Sequence, residues 1–86
     1  MVKYSLEIKQ SAQKEMDQLD EKLFTQIDRK LLALAENPRP AGCKKLKGYK
    51  DQWRIRAGDW RVLYIIDDMA KLVAVTRIAH RRDVYK

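Results

Sequence analysis

The stretch Trp53-Arg54-Ile55-Arg56-Ala57-Gly58-Asp59-Trp60-Arg61-Val62-Leu63-Tyr64-Ile65-Ile66 decides the fold. Trp53, Ile55 and Ala57 alternate with Arg54 and Arg56, a period of two that belongs to a half-buried strand. Gly58-Asp59 suits a two-residue hairpin turn. Trp60, Val62, Tyr64 and Ile66 then resume the alternation against Arg61, Leu63 and Ile65. Beyond Arg61 this second strand is apolar on both sides, so it is expected in the middle of a sheet. Asp67-Asp68 begins another turn. Leu72 to Ile78 is expected as a last strand, followed by a polar tail from Ala79 to Lys86. Upstream, Lys44-Lys45-Leu46-Lys47-Gly48 reads as a short basic strand entering a turn.

The first half has a different period. Val2, Tyr4, Leu6 and Ile8 alternate with Lys3, Ser5, Glu7 and Lys9, which predicts an N-terminal strand. Ser11 is expected as a helix N-cap, with Ala12, Met16 and Leu19 recurring at helical spacing. Asp20 is expected as a second N-cap, with Glu21 at the positive end of the helix dipole. Leu23, Phe24, Ile27, Leu31 and Leu34 form one apolar stripe. Asn37-Pro38 should stop the helix, because the residue before proline resists the α region. The result is a helical hairpin from about residue 11 to 37, laid over a sheet. The predicted architecture is a single α+β domain, 1–86. It has an N-terminal strand, two helices on one face, then a mostly antiparallel sheet of three to four strands.

Composition narrows the function. The 86 residues suit one domain. Nothing approaches the ~20 consecutive apolar residues of a membrane span. One cysteine, Cys43, rules out an internal disulfide, and Met1 to Glu7 offers no signal-peptide core, so a reducing cytoplasm is the expected compartment. The net charge is +7, and residues 1–40 hold as many acidic as basic side chains. The whole excess therefore lies in the second half, the footprint of a polyanion binder.

Several chemistries lack their residues. One histidine and one cysteine cannot build a zinc site, and Asp67-Asp68 has no third carboxylate for a two-metal centre. The three glycines are isolated, so no phosphate-cradling loop is present, and Ser5 and Ser11 lie in no nucleophile elbow. Neither metal nor cofactor is expected. What remains is arginine. With Gly58-Asp59 as the turn, Arg56 stands opposite Arg61 and Arg54 lies two residues back on the same face. Like charges opposed on a sheet repel, and a bound anion would relieve them. Lys44, Lys45 and Lys47 are expected to extend this surface. In the tail, His80-Arg81-Arg82-Asp83-Val84-Tyr85 gathers two arginines, an imidazole and a phenol within reach of one phosphate. Cationic neighbours favour the Tyr85 phenolate. Trp53 and Trp60 read as core residues, although aromatics among arginines also suit base stacking.

These motifs, in this order, resemble the RelE/ParE superfamily of bacterial toxins: Lys45-Leu46-Lys47-Gly48, Trp53-Arg54-Ile55-Arg56, Gly58-Asp59-Trp60-Arg61-Val62-Leu63-Tyr64 and His80-Arg81-Arg82-Asp83-Val84-Tyr85. The resemblance extends over nearly the whole chain. It implies a RelE-like ribonuclease of a type II toxin–antitoxin system that enters the ribosome and cuts messenger RNA. Catalytic positions would then be Arg54, Arg56, Arg61, Arg81 and Tyr85, with His80 as the other candidate base. Lys44, Lys45, Lys47 and Arg82 would bind RNA. Relatives often carry lysines on the first strand of the hairpin, where this chain has arginines; the charge is kept while proton transfer is weakened. The resemblance also implies a cognate antitoxin as partner, in a hetero-oligomer. The alternative within the superfamily is a ParE-like toxin that binds and inhibits DNA gyrase.

Overall fold

A computed structural model describes residues 3–46, 48 and 51–84. The elements run β1 (Ser5–Ile8), α1 (Gln10–Asp17), α2 (Glu21–Glu36), β2 (Lys44–Lys45), β3 (Gln52–Ala57), β4 (Trp60–Asp67) and β5 (Leu72–His80). The five strands form one sheet in the order β1-β5-β4-β3-β2. Only the β1–β5 pair is parallel; the rest of the sheet is antiparallel. β4 is central, as its two apolar faces predict.

Both helices cover one face. Ala12 and Met16 of α1 and Ile27, Leu31 and Leu34 of α2 meet Ile55, Ala57, Val62, Tyr64, Ile66, Val73, Val75 and Ile78 of the sheet in one buried cluster. Tyr64 is fully buried there, and its hydroxyl donates to the Pro38 carbonyl oxygen at 2.7 Å, which satisfies the one polar atom that burial would strand. Asp20 caps α2 as predicted, its Oδ1 accepting from the Leu23 N–H at 2.8 Å. α2 ends at Glu36, before Asn37-Pro38.

Three expectations need correction. β1 begins at Ser5, and Val2 lies outside the described residues. Ser11 caps nothing: α1 starts at Gln10 with Lys9 as its cap residue and no side-chain cap. The reason is the edge of β5. β1 pairs only with Leu72 to Val75, so the rest of β5 has a free edge on that side. α1 closes it. The Ser11 hydroxyl donates to the Thr76 carbonyl oxygen at 3.0 Å, and Glu15 Oε1 accepts from the Ile78 N–H at 2.8 Å. Glu15 Oε2 lies 3.5 Å from Arg77 Nε. Third, the segment from Ala79 is not a polar tail. β5 continues through Ala79 to His80, and Val84 is only 2% exposed. Val84 packs with Leu63 and Ala79, and against Leu46, on the face away from the helices.

At the far end of the sheet, Asp68 ties three segments together. Arg39 donates to it through Nη1 at 3.2 Å and Nη2 at 2.8 Å, and the Tyr4 hydroxyl donates to Oδ1. These bonds, that from Arg39 first, hold the carboxyl at about 2, below the usual range. A depressed carboxylate contributes stability that is complete above its unfolded pKa, near ~3.9, and lost as pH falls through the folded value. Thermal melts at successive pH values should therefore show a loss between about pH 4 and 2 that Asp68→Asn flattens. The capped edge gives a second prediction. Glu15→Ala should cost about 1–3 kcal/mol in denaturant unfolding, because the N–H of the buried Ile78 loses its acceptor, and Glu15→Gln should recover part of that.

Candidate functional site

The β3–β4 hairpin builds the site. Ala57 pairs with Trp60 across Gly58 and Asp59. Gly58 has φ +61° while Asp59 stays at negative φ, which is the type II′ arrangement and favours glycine at the first turn position. This turn fixes the register, with Arg56 directly opposite Arg61 and Arg54 opposite Leu63. Lys44 of β2 pairs with Arg54 in turn. Trp53, Ile55, Ala57, Trp60 and Val62 face the helices, so alternation places Lys44, Arg54, Arg56 and Arg61 on the opposite face.

The arginines differ in setting. Arg56 is exposed; Arg54 and Arg61 are half-buried. Arg61 Nη1 donates to the Gly58 and Trp60 carbonyl oxygens, each at 3.0 Å, so its guanidinium is held against the turn. Arg54 Nε is buried and has no hydrogen-bond partner among the described residues. A buried guanidinium N–H without an acceptor is open to one, and an anion is the kind of acceptor a guanidinium binds best. Arg81 joins from the turn just after β5: its backbone N–H donates to the Asp59 carbonyl oxygen at 2.7 Å, and its Nε lies 3.8 Å from Asp59 Oδ1. The chain end is thus fastened to the hairpin tip. Arg82 is exposed one residue further on.

Other expected members are placed elsewhere. Lys45 pairs with Trp53, on the helix side, and its Nζ lies 6.0 Å from the Trp53 ring centre. It does not extend the arginine face, because neighbouring residues of a strand point to opposite sides. Arg39 lies over the same ring at 5.0 Å. His80 pairs with Trp60, and their rings meet edge-to-face at 5.8 Å between centres, again on the helix side. His80 Nδ1 accepts from the Arg82 N–H at 3.2 Å, so the neutral ring carries its proton on Nε2. Lys47 and Tyr85 lie outside the described residues. Among the described residues no three His, Cys, Asp or Glu side chains are grouped to hold a metal.

Two features escaped the sequence reading. One is the apolar patch of Leu46, Leu63, Ala79 and Val84 beside the arginines, signalled only by single apolar residues within basic runs. The other is Arg77, whose Nη1 donates to the Val84 carbonyl oxygen at 3.1 Å. Together they lay the chain end against the arginine face. A concavity of about 1040 Å³ follows the outer side of α2 from Asp20 to Ala33, across the sheet from the arginines. The arginine face can grip a phosphate and stabilise charge developing on it. It offers no proton acceptor, since arginine stays protonated.

Comparison with known proteins agrees with the fold. The sequence model of one family, described as the ParE toxin of the parDE type II toxin–antitoxin system, matches residues 3–85. An Escherichia coli protein that carries the name RelE-like toxin is 32% identical over 88 aligned residues, spanning 98% of this chain and 92% of that one. A chain of the intact Escherichia coli RelBE toxin–antitoxin complex superposes with a TM-score of 0.77 at 30% identity, covering 90% of this chain and 95% of that chain. The archaeal RelE–RelB complex from Pyrococcus horikoshii gives a TM-score of 0.83 at 24% identity, covering 98% and 100%, and speaks for the fold alone.

The His80 geometry can be checked directly. Nitrogen-detected imidazole spectra of the neutral protein should show Nε2 as the protonated nitrogen and Nδ1 as the acceptor. The reverse tautomer would mean that the Arg82 N–H bond is absent in solution.

Proposed function

The chain belongs to the RelE/ParE superfamily, toxins of type II toxin–antitoxin systems, and on that premise we propose that it is an endoribonuclease that cuts messenger RNA on the ribosome without a metal ion. One observation carries this reading. Arg56 and Arg61 are directly opposed, with Arg54 beside them and Arg81 fastened to the same hairpin tip. Like charges held in register on a sheet repel one another, and a bound anion relieves them.

The chemistry follows from charge. The substrate's 2′-hydroxyl attacks the adjacent phosphorus; the O2′–P bond forms as the P–O5′ bond breaks. The products are a 2′,3′-cyclic phosphate and a 5′-hydroxyl. Arg61, Arg54 and Arg56 stabilise the negative charge gathered on the phosphorane oxygens, where preorganised donors are worth most. Arg81 binds the phosphate from the side of the tip. Tyr85 takes the 2′-hydroxyl proton. Two facts support it over His80: the imidazole sits on the other side of the sheet, and its accessible nitrogen is a donor. Arginine is a poor acid, so the leaving 5′-oxygen takes its proton from solvent water, and the ribosome supplies alignment that the free protein lacks.

The partners follow. The similar chain solved from Escherichia coli is part of a complex of toxin with antitoxin. We assign this chain the same kind of partner, an acidic or amphipathic antitoxin that neutralises the arginine face and blocks the ribosome. The site of action is the cytoplasm, where ribosomes are. The second reading, inhibition of DNA gyrase, is favoured by the family description, which is that of a ParE toxin.

Programmed ribosomes separate the two. Incubation with the protein should create new mRNA 5′ ends. Arg61→Ala should lower single-turnover cleavage by ~10²–10³ while the melting temperature stays near wild type. Tyr85→Phe should cost ~10²-fold or more, and His80→Gln less. Growth inhibition without mRNA cleavage, together with loss of gyrase supercoiling, would establish the ParE-like reading instead.

A further inference from the structure

A second concavity lies where α1 meets the start of β4 and the end of β5, on the helix side of the hairpin tip. It has a volume of about 340 Å³ and is lined by Glu15, Gln18, Leu19, Trp60, Arg77 and His80, among others. The arginine face is on the other side of the same tip. We propose that this cleft is a pocket for one unstacked RNA base next to the phosphate held by the arginines, an inference that rests on the ribonuclease reading above.

Size is the first argument. The volume is at the lower end of the ~300–1,000 Å³ typical of small-ligand sites, enough for a single planar ring system and too little for a stacked run. Shape is the second. Trp60 and His80 both line the cleft, and their rings meet edge-to-face at an interplanar angle of 81°, so the wall is aromatic. Sequence-tolerant recognition of single-stranded RNA works by splaying a base onto such a ring. Charge is the third. Glu15 and Asp83 at the cleft outweigh Arg77, which removes any cationic excess and makes the cleft a poor phosphate site. Both Glu15 oxygens are already engaged, by the Ile78 N–H and by Arg77. Three polar groups are not. Among the described residues, the Gln18 amide, the Trp60 Nε1–H and the His80 Nε2–H make no hydrogen bond. They supply donors and one acceptor to a base edge.

Connectivity is the last argument. Trp60 and Arg61 are consecutive residues on opposite faces, and Asp59 holds the Arg81 backbone beside them. A single strand that rounds the tip can leave a phosphate on the arginines and swing a neighbouring base into the cleft.

The two tryptophans provide the test. Trp60 lies in the cleft, and Trp53 lies under Arg39 and Lys45 at the other end of the hairpin, as an internal reference. The probe is a 2′-O-methyl RNA trinucleotide, which lacks the attacking hydroxyl, together with three versions abasic at each position in turn. Nitrogen–proton spectra of the whole chain report the indole signals and the arginine Nε–H signals. The Trp60 indole should shift saturably while Trp53 stays in place. One abasic version should lose the Trp60 shift and keep the arginine shifts. Gln18→Ala, an exposed substitution, should raise the trinucleotide Kd by ~5-fold. If the arginines respond and Trp60 does not, or if every abasic version moves Trp60 equally, the pocket is wrong and the RNA reading stands. If neither arginines nor Trp60 respond, both fail together.

Discussion

The structure depends on the register of the β3–β4 hairpin. A two-residue turn at Gly58-Asp59 pairs Ala57 with Trp60, and every later pair follows from that. A shift of one residue would turn Ile55, Val62 and Tyr64 out to solvent and drive Arg54 and Arg61 into the helices. Burial of the apolar set thus enforces the arrangement of the charged set. The repulsion between Arg56 and Arg61 is a cost that the core absorbs. That coupling is how a small domain keeps like charges opposed without another scaffold to hold them.

The helices do more than cover the core. β1 is four residues long and leaves half of β5 unpaired. A bare strand edge is a template for unwanted pairing. α1 takes up that edge with two side chains, Ser11 on the Thr76 carbonyl and Glu15 on the Ile78 N–H. Glu15 then meets Arg77, and Arg77 reaches the Val84 carbonyl. One chain of polar contacts runs from the first helix to the chain end, and the chain end lies beside the arginines. The first helix therefore bears on the site without contributing a residue to the arginine face.

The molecule separates its two kinds of polar surface. The face opposite the helices is cationic, with a small apolar patch of Leu46, Leu63, Ala79 and Val84 that seats the final turn. The helix side at the same end is aromatic and close to neutral. The far end is pinned by Tyr4, Arg39 and Asp68. The hairpin tip carries charge on one side and aromatic rings on the other. Phosphates and bases need those two environments separately.

Local pattern alone determined the strands of the hairpin, the central place of β4, the Asp20 cap and the stop at Asn37-Pro38. Each rests on periodicity or on backbone chemistry that acts within a few residues. The pairing of Arg56 with Arg61 was legible for the same reason, since a two-residue turn leaves one register. The superfamily was legible too, in short motifs whose order the whole chain repeats. Tertiary structure decided the rest. Ser11 has the side chain of a cap, yet it serves a strand edge created by pairing across the chain. Lys45 sits between basic neighbours, yet alternation sends it to Trp53 and away from the arginines. His80 adjoins Arg81 in sequence, yet the β4–β5 register turns it toward α1. Val84 stands in a polar run, yet it is buried because Leu63 and Ala79 lie beneath it. Each of these outcomes depends on which strands become neighbours, a long-range property that no local period encodes.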